Sequence, residues 1–248
     1  MRLFFLKQIL RLFKASVLFF LVCVGMFGFI IFAIFSPFFE LKKIVVERDD
    51  PYVNVDAVQE ALQSFYGQNL LFMTDDEIKN ILKEQFPEFR SVQVKEHWPD
   101  EIALNIKVSP PLFTLLNKET ANFSTISEDG VILESSPNQD LPVLNIYGYD
   151  KLILPRVAFM EKEDLARIQE SRYTLEESMK LPVKEIRVYP IAQELHFVLQ
   201  NGTVIWLDLM ADHQEQLRKL DLASSRIGIY TEPLHHVDLR IPDHLFWK

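Results

Sequence analysis

Residues 15–35 read ASVLFFLVCVGMFGFIIFAIF and include no charged side chain. A helix rises about 1.5 Å per residue, so a segment of this length spans roughly 30 Å, the thickness of a bilayer's hydrocarbon core. A helix on the surface of a soluble protein needs a polar face, which this segment lacks. The sequence therefore predicts a transmembrane helix at 15–36, a short head at 1–14 and an ectodomain of more than 200 residues.

The charges around this segment predict its orientation. The head has no acidic residue and four basic ones, Arg2, Lys7, Arg11 and Lys14. Basic residues beside a membrane helix favour the cytoplasmic side, so we expect the N-terminus inside the cell and the ectodomain outside. Lys42 and Lys43 beyond the other end weaken the asymmetry, although Glu40 and Glu47 flank them.

A cleaved signal peptide is the main alternative to an uncleaved anchor. Its apolar core would usually be about 7–15 residues long and end at a small-x-small cleavage site. The present run is longer, and Ser36-Pro37 follows it without an Ala-x-Ala pattern. Cys23 is a poor lipoprotein site because Val22 precedes it and because it lies in the middle of the run. We therefore expect a single-pass protein of the cell membrane.

The composition argues against anionic partners and against stabilisation by disulfide bonds. The chain has 26 basic and 35 acidic residues, and outside the head the balance is 22 against 35. So negative an ectodomain disfavours nucleic acid and anionic polymers as partners, although a solvated surface explains it as well. The one cysteine lies in the membrane segment, so no intramolecular disulfide is available. There is no Gly-rich phosphate loop, and we expect no cofactor.

Residues 37–109 predict a compact α+β domain of β-α-α-β-β order, with two helices on one face of a three-stranded sheet. The predicted elements are a strand at 39–47, a helix at 55–65, a helix from Thr74 to before Pro87, and strands at 91–96 and 101–108. Thr74 and Glu77 form a capping box at the start of the second helix. The turn 97–100 joins the last two strands.

Residues 110–248 predict a mostly antiparallel β domain with helices. The predicted strands lie at 112–116, 123–127, 131–133, 141–147, 183–189, 194–199, 203–208 and 235–240, and the predicted helices lie at 161–172 and after Asp212. Asn201-Gly202 is the strongest hairpin signal in the chain. Only residues 245–248 remain for a last strand, which must be very short.

In this order the residues resemble the FtsQ/DivIB family of bacterial division proteins. The resemblance rests on Gly67-x-Asn69-Leu70, on Trp98-Pro99 with the alternating strand 101–108, on the turn Glu128-Asp129-Gly130 with Leu141-Pro142 after it, on Asn201-Gly202, and on Val237-Asp238-Leu239-Arg240. One departure is Arg48-Asp49-Asp50, where the family usually has a glycine. The resemblance implies a cytoplasmic head, one membrane helix, a POTRA domain and a larger β domain.

The resemblance also implies a function without catalysis. Members of the family are scaffolds of the division machinery at the septum. They join the bitopic proteins FtsB and FtsL, help to control septal peptidoglycan synthesis, and use the POTRA domain for recruitment by other division proteins. A partner segment would add a strand to the edge near the C-terminus. By position the implied contact residues are Arg240, Ile241, Leu245, Phe246 and Trp247, with Arg240 pairing with an acidic partner residue.

Several simpler interpretations stay open at this point. Arg240 can pair with a carboxylate of its own surface, Phe246 and Trp247 can pack onto their own domain, and Trp98-Pro99 is more typical of a structural turn than of a binding site. A POTRA-containing module of envelope transport or secretion is the alternative function, because fold does not fix function. A membrane-anchored hydrolase is a third hypothesis, without a catalytic motif to support it.

The candidate metal ligands form one cluster. These residues are His235, His236, Asp238 and His244. Neighbouring residues of a strand point to opposite faces, so His235 and His236 are not expected to reach the same ion. The sequence therefore predicts no metal site and no catalytic site.

Overall fold

The structure is a computed structural model that describes residues 2–47, 51–133 and 140–248, with side chains from Ser16 onward. The tripeptide at 48–50, where the resemblance leads us to expect a glycine, lies outside the described residues. The described chain forms an N-terminal helix, a β-α-α-β-β domain and a larger sheet domain. The α+β fold expected from the sequence is therefore confirmed.

Helix α1 (Arg2–Phe35) is one continuous helix of 34 residues. Its part from Ser16 to Phe35 has a mean hydropathy of 3.0, and none of it is buried inside the protein. Transfer of so apolar a helix from water into a bilayer is favourable. By length and composition α1 qualifies as a single-pass membrane anchor.

The chain leaves α1 through a short 3₁₀ turn instead of the expected strand. Ser36 caps this turn, Pro37–Phe39, because its Oγ accepts the Phe38 N–H at 3.2 Å. Pro37 at the first position suits a helical start and cannot donate to a sheet. The prediction of a strand from residue 39 is therefore wrong at its beginning, and strand β1 starts only at Lys43.

The β-α-α-β-β domain has the predicted order. Its elements are β1 (Lys43–Glu47), α2 (Val55–Ala61), α3 (Asp75–Gln85), β2 (Phe89–His97) and β3 (Glu101–Val108). The predicted first helix is shorter than expected, since a 3₁₀ turn, Gln63–Phe65, follows α2. Strand β3 lies in the centre of the sheet and pairs with β1 in parallel, with Ile44 opposite Ile102. Apolar residues of the two helices, of the connection after α2 and of the strands are buried, among them Val58, Leu62, Ile78, Leu82, Leu104 and Ile106.

Within residues 110–133 and 140–248, the sheet domain has nine strands and two α-helices. They are β4 (Pro111–Asn117), β5 (Asn122–Ser127), β6 (Ile132–Leu133), β7 (Val143–Ile146), α4 (Lys162–Tyr173), β8 (Val183–Tyr189), β9 (Glu194–Leu199), β10 (Val204–Asp208), α5 (His213–Ile227), β11 (His236–Asp238) and β12 (Phe246–Trp247). Their order across the sheet is β12-β11-β10-β9-β8-β7-β4-β5-β6. The pairs β10–β11, β4–β7 and β7–β8 are parallel, and the other five pairs are antiparallel.

One face of this sheet forms the core with α4 and α5. Alternate residues of the strands point into it, as in β9, where Leu195, Phe197 and Leu199 are buried. Leu165 of α4 and Leu220 of α5 belong to the same cluster. Burial on this scale is the main stabilising term for a domain without disulfides. The opposite face carries the polar and aromatic side chains of the same strands.

Candidate partner-binding edge

The nine-stranded sheet has two edges, and the β6 edge is covered by the chain itself. The Ile132 N–H donates to the Val157 carbonyl at 3.0 Å, and the Arg156 N–H donates to the Ile132 carbonyl at 2.8 Å. At the other edge, β12 pairs with β11 on its inner side, and no described segment pairs with its outer side. An uncovered edge is a template for another strand. Within the described residues, the β12 edge is therefore the edge without a neighbouring strand.

The register of β12 shows which backbone groups face outward. The Lys248 N–H donates to the His236 carbonyl at 3.1 Å, and Trp247 lies opposite Val237. Hydrogen-bonded and non-hydrogen-bonded residue pairs alternate along an antiparallel ladder. Because Lys248 and His236 form a hydrogen-bonded pair, Trp247 and Val237 form a non-hydrogen-bonded one. The N–H and C=O of Trp247 consequently point away from β11, towards the open edge.

The apolar residues expected at the partner contact divide into two groups. Leu245 packs against the core of its own domain. Phe246 and Trp247 are each 50% exposed, and Ile241 is 47% exposed. Residues that face each other across a ladder share a face, so Phe246 lies on the face of Asp238 and Trp247 on the face of the buried Val237. Three of the four apolar residues thus offer surface beside the open edge.

Arg240 is held by carboxylates of its own chain. Its Nε and Nη2 donate to both carboxylate oxygens of Asp238 at 2.9 and 2.7 Å, and its Nη1 donates to Glu194. The guanidinium also lies over the Trp206 ring, 4.9 Å from its centre. The bond to Arg240 lowers the pKa of the Asp238 carboxyl, and the same bond raises the pKa of Arg240. The pairing with a neighbouring carboxylate, which the sequence left open, is what the structure shows.

The surroundings of Arg240 are acidic. A cleft of about 240 Å³ beside it is lined by Glu194, Asp208 and Asp238. His196 bonds Glu194 at 3.0 Å, and burial lowers the pKa of this imidazole, so it adds no positive charge near neutral pH. An acidic partner residue would have to compete with these carboxylates for the guanidinium.

Lys219 of α5 fixes the loop that leads from β11 to β12. Its Nζ donates to the carbonyls of Leu239, Ile241 and His244, at 2.7, 2.9 and 3.5 Å. One ammonium thereby satisfies three backbone acceptors of a segment that has no regular structure. Bonds from a charged donor are about twice as strong as neutral ones. Lys219 therefore positions Ile241 and the start of β12, a role that the sequence did not indicate.

A row of aromatic rings crosses the face of the sheet that lies opposite the core. Ring centres are 5.3 Å apart for Tyr147 and Tyr189, 4.7 Å for Tyr189 and His196, 5.0 Å for His196 and Trp206, and 4.7 Å for Trp206 and His236. The row spans strands β8 to β11 and continues beyond the end of β7. These residues are far apart in sequence, so only the strand order brings them together.

The candidate metal ligands need one correction. The Nδ1 atoms of His235 and His236 lie 3.0 Å apart, although alternation was expected to separate them. His235 precedes β11, which starts at His236, so the alternation rule does not apply to it. Among the described residues no group of three or more metal-ligating side chains comes together.

One serine–histidine pair does exist in the sheet domain. The Ser171 Oγ and the His213 Nδ1 are 2.9 Å apart. Both side chains are buried, at 0% and 2% exposure, and the Ser171 hydroxyl donates to the Arg167 carbonyl at 2.7 Å. A substrate does not reach a hydroxyl in this position. The pair links α4 to the start of α5.

Trp98-Pro99 forms the turn between β2 and β3, as expected. The Asp100 carbonyl beside it accepts the Lys42 N–H at 2.8 Å. Trp98 itself is 50% exposed and makes an edge contact with Phe39, at 5.9 Å between ring centres.

The comparisons with known proteins agree with this architecture. Residues 39–108 match the family model of the POTRA domain, FtsQ-type. No curated protein matches the chain. With an FtsQ-type POTRA domain behind an N-terminal apolar helix, the chain fits a protein of the FtsQ/DivIB family.

Proposed function

We propose that this protein is a non-enzymatic, single-pass scaffold of the bacterial division machinery, with its N-terminus in the cytoplasm and its ectodomain at the septum. The match of residues 39–108 to the FtsQ-type POTRA domain carries the proposal. The apolar helix α1 supports the membrane anchor. The scaffold links division proteins that arrive early to septal peptidoglycan synthesis.

The partners are bitopic proteins of the FtsB/FtsL type, which add a strand to the β12 edge. Support comes from the contrast between the covered β6 edge and the uncovered β12 edge. The outward N–H and C=O of Trp247 provide the main-chain bonds, and Ile241, Phe246 and Trp247 provide apolar contact area. Aromatic residues are frequent anchors of such interfaces. The POTRA domain contacts other division proteins.

A membrane pull-down with the full chain as bait, followed by mass spectrometry, tests the function. Recovery of bitopic division proteins is the expected result. Recovery of envelope transport or secretion proteins in their place would reject the division role and support the alternative POTRA function. A fluorescent fusion of the full chain should also concentrate at the septum of dividing cells. A uniform signal around the envelope would contradict the proposal.

A proline at position 247 tests strand addition separately from side-chain contact. Trp247→Pro removes the outward N–H and leaves the inner bonds of Phe246 and Lys248 in place, and proline is tolerated on edge strands. Trp247→Ala is the matched control, because it removes the ring and keeps the N–H. We expect Trp247→Pro to bind the partner several-fold more weakly than Trp247→Ala. Equal affinities would reject a main-chain bond at this position.

The role of Arg240 is tested through its internal partner Glu194. A partner carboxylate that binds Arg240 competes with Glu194 for the guanidinium, so Glu194→Gln should tighten the complex by weakening the competition. Arg240→Glu should weaken the complex, but it also leaves Asp238 without its partner. Unchanged or weaker binding by Glu194→Gln, with an unchanged fold by circular dichroism, would assign Arg240 a purely internal role.

A further inference from the structure

The POTRA domain has one end at which three loops meet the exit of α1. The loops are 36–42, 66–74 and 97–100. Backbone bonds join them: the Leu41 N–H donates to the Gln68 carbonyl and the Lys42 N–H to the Asp100 carbonyl, both at 2.8 Å. Strand β1 leads away from this end, α2 returns to it, α3 leads away again and β2 returns. The opposite end therefore holds the last turn of α3.

The exposed apolar side chains of the domain are confined to these three loops. Between residues 36 and 108, within the part that the structure describes, the large apolar side chains with high exposure are Phe38 (53%), Tyr66 (40%), Leu71 (44%), Phe72 (62%) and Trp98 (50%). We call these five residues the exit patch. Four of them are aromatic, Phe38, Tyr66, Phe72 and Trp98, and they come from all three loops. Scattered exposed apolar residues are ordinary, but a grouping at one end marks an interaction surface.

Asn69 attaches the exit patch to the end of the membrane helix. Its Nδ2 donates to the carbonyls of Ala33 and Ile34, at 2.8 and 3.1 Å. The last carbonyls of a helix have no partner within the helix, and in a membrane they need one from the protein. The Asn69 Oδ1 also accepts the Leu71 N–H at 2.9 Å, which fixes the 3₁₀ turn that bears Leu71 and Phe72.

This attachment determines how far the patch can lie from a bilayer. The apolar part of α1 ends at Phe35, so the helix end lies at the boundary between hydrocarbon and headgroups. The headgroup layer on each side is roughly 5–8 Å thick. Phe38 follows three residues later, which allows at most about 10 Å even for an extended chain. Trp and Tyr prefer this layer because their rings are apolar and carry one polar group.

We infer that the exit patch lies in the headgroup layer of the outer leaflet and contacts lipid. The inference rests on the proposed membrane anchor and adds a second, peripheral contact to it. The contact is apolar insertion and not attraction to anionic lipid. The two exposed cations beside the patch, Lys42 and Lys43, are already paired with Asp100 and Glu101, at 3.1 and 2.7 Å. The bilayer thus holds the POTRA domain by its exit end.

Site-directed spin labels on the full chain in phosphatidylcholine nanodiscs test the contact. A label on the native Cys23 reports whether α1 is inserted. In a Cys23→Ala background, Phe72→Cys places a label in the patch, and Glu84→Cys places the control label on the exposed last turn of α3. We expect the label at 72 to collide mainly with oxygen, which concentrates in lipid, and the label at 84 to collide mainly with a water-soluble nickel chelate.

A second measurement leaves Phe72 intact. In a Trp206→Phe, Trp247→Phe background, Trp98 is the one remaining tryptophan, and brominated lipids should quench its fluorescence. Quenching should be unchanged when a third of the lipid is phosphatidylglycerol. If the Cys23 label is in lipid but the label at 72 behaves like the one at 84 and Trp98 is not quenched, the lipid contact is overturned and the anchor stands. If the Cys23 label is in water, the anchor fails and the lipid contact fails with it.

Discussion

At the scale of single residues, Gly130 and Arg240 both depend on groups that lie far from them along the chain. Gly130 belongs to a turn that its neighbours predict, and its φ of +82° confirms the need for glycine. A Cβ there would lie 1.8 Å from the Met160 carbonyl oxygen, a contact no local pattern reveals. Arg240 is bound to Glu194, 46 residues away. Such partners are set by the strand order, which periodicity does not encode.

His213 makes the stability of the sheet domain depend on pH. Burial lowers the pKa of this imidazole, which also faces Arg167, so the folded protein resists its protonation. Above a pH of about 6.5, the ordinary pKa of histidine, both states are neutral at this site. Below it the unfolded state takes up a proton that the folded state excludes, so stability falls until the pH reaches the folded-state pKa.

The prediction is tested with His213→Asn, whose amide nitrogen replaces Nδ1 as the donor to Ser171 but does not titrate. The free energy of unfolding of the full chain in detergent is measured at pH 7.5 and 5.5. We expect the wild type to lose more stability over this interval than the variant, whatever the difference at pH 7.5. Burial also lowers the pKa of His196, so the variant should still lose some stability between pH 7.5 and 5.5. Parallel losses in both proteins would refute the role of His213.

At the scale of elements, the spacing of apolar residues predicted most strands and helices, because the apolar positions of each element are the ones that face the core. Strands β3, β8 and β9 have the predicted bounds, and Asp212 caps α5 by accepting the N–H groups of Gln214 and Glu215. The predicted strand at 235–240 is shorter, since only His236–Asp238 pairs. The short last strand was expected and is found in β12. What holds β12 in place was not foreseen, because Lys219 acts on backbone carbonyls, which carry no sequence signal.

Replacing Lys219 should loosen the β12 edge without unfolding the domain. Lys219→Met keeps the apolar stem but removes the donor to three carbonyls. Loss of bonds from a charged donor costs about 1.5–3 kcal/mol, which corresponds to roughly tenfold or faster amide exchange in the local segment. Hydrogen exchange of the peptide 236–248 measures this, with Lys180→Met on an exposed side chain as control. Equal exchange in the two variants would show that Lys219 does not position the edge.

At the scale of the whole molecule, the charges of the head should determine which side of the membrane receives the ectodomain. The four basic residues at 1–14 outnumber the three that follow the helix within about 15 residues, Lys42, Lys43 and Arg48. Lys42 and Lys43 are also paired with carboxylates. The basic residues beside a first helix usually determine its orientation. Replacing the four basic head residues by Gln should therefore lower the fraction of chains with the ectodomain outside the cell.

Labelling of one exposed cysteine measures that fraction. In a Cys23→Ala background, Leu222→Cys places a thiol on α5 at a side chain that is 74% exposed. A membrane-impermeant maleimide should label nearly all chains of this protein in intact spheroplasts, and fewer chains after the head charges are removed. Adding Lys42→Gln and Lys43→Gln should restore part of the labelling, since two of the three competing cations are then gone as well. If the labelling never changes, orientation follows from the apolar helix and the ectodomain alone, and the head charges serve another purpose.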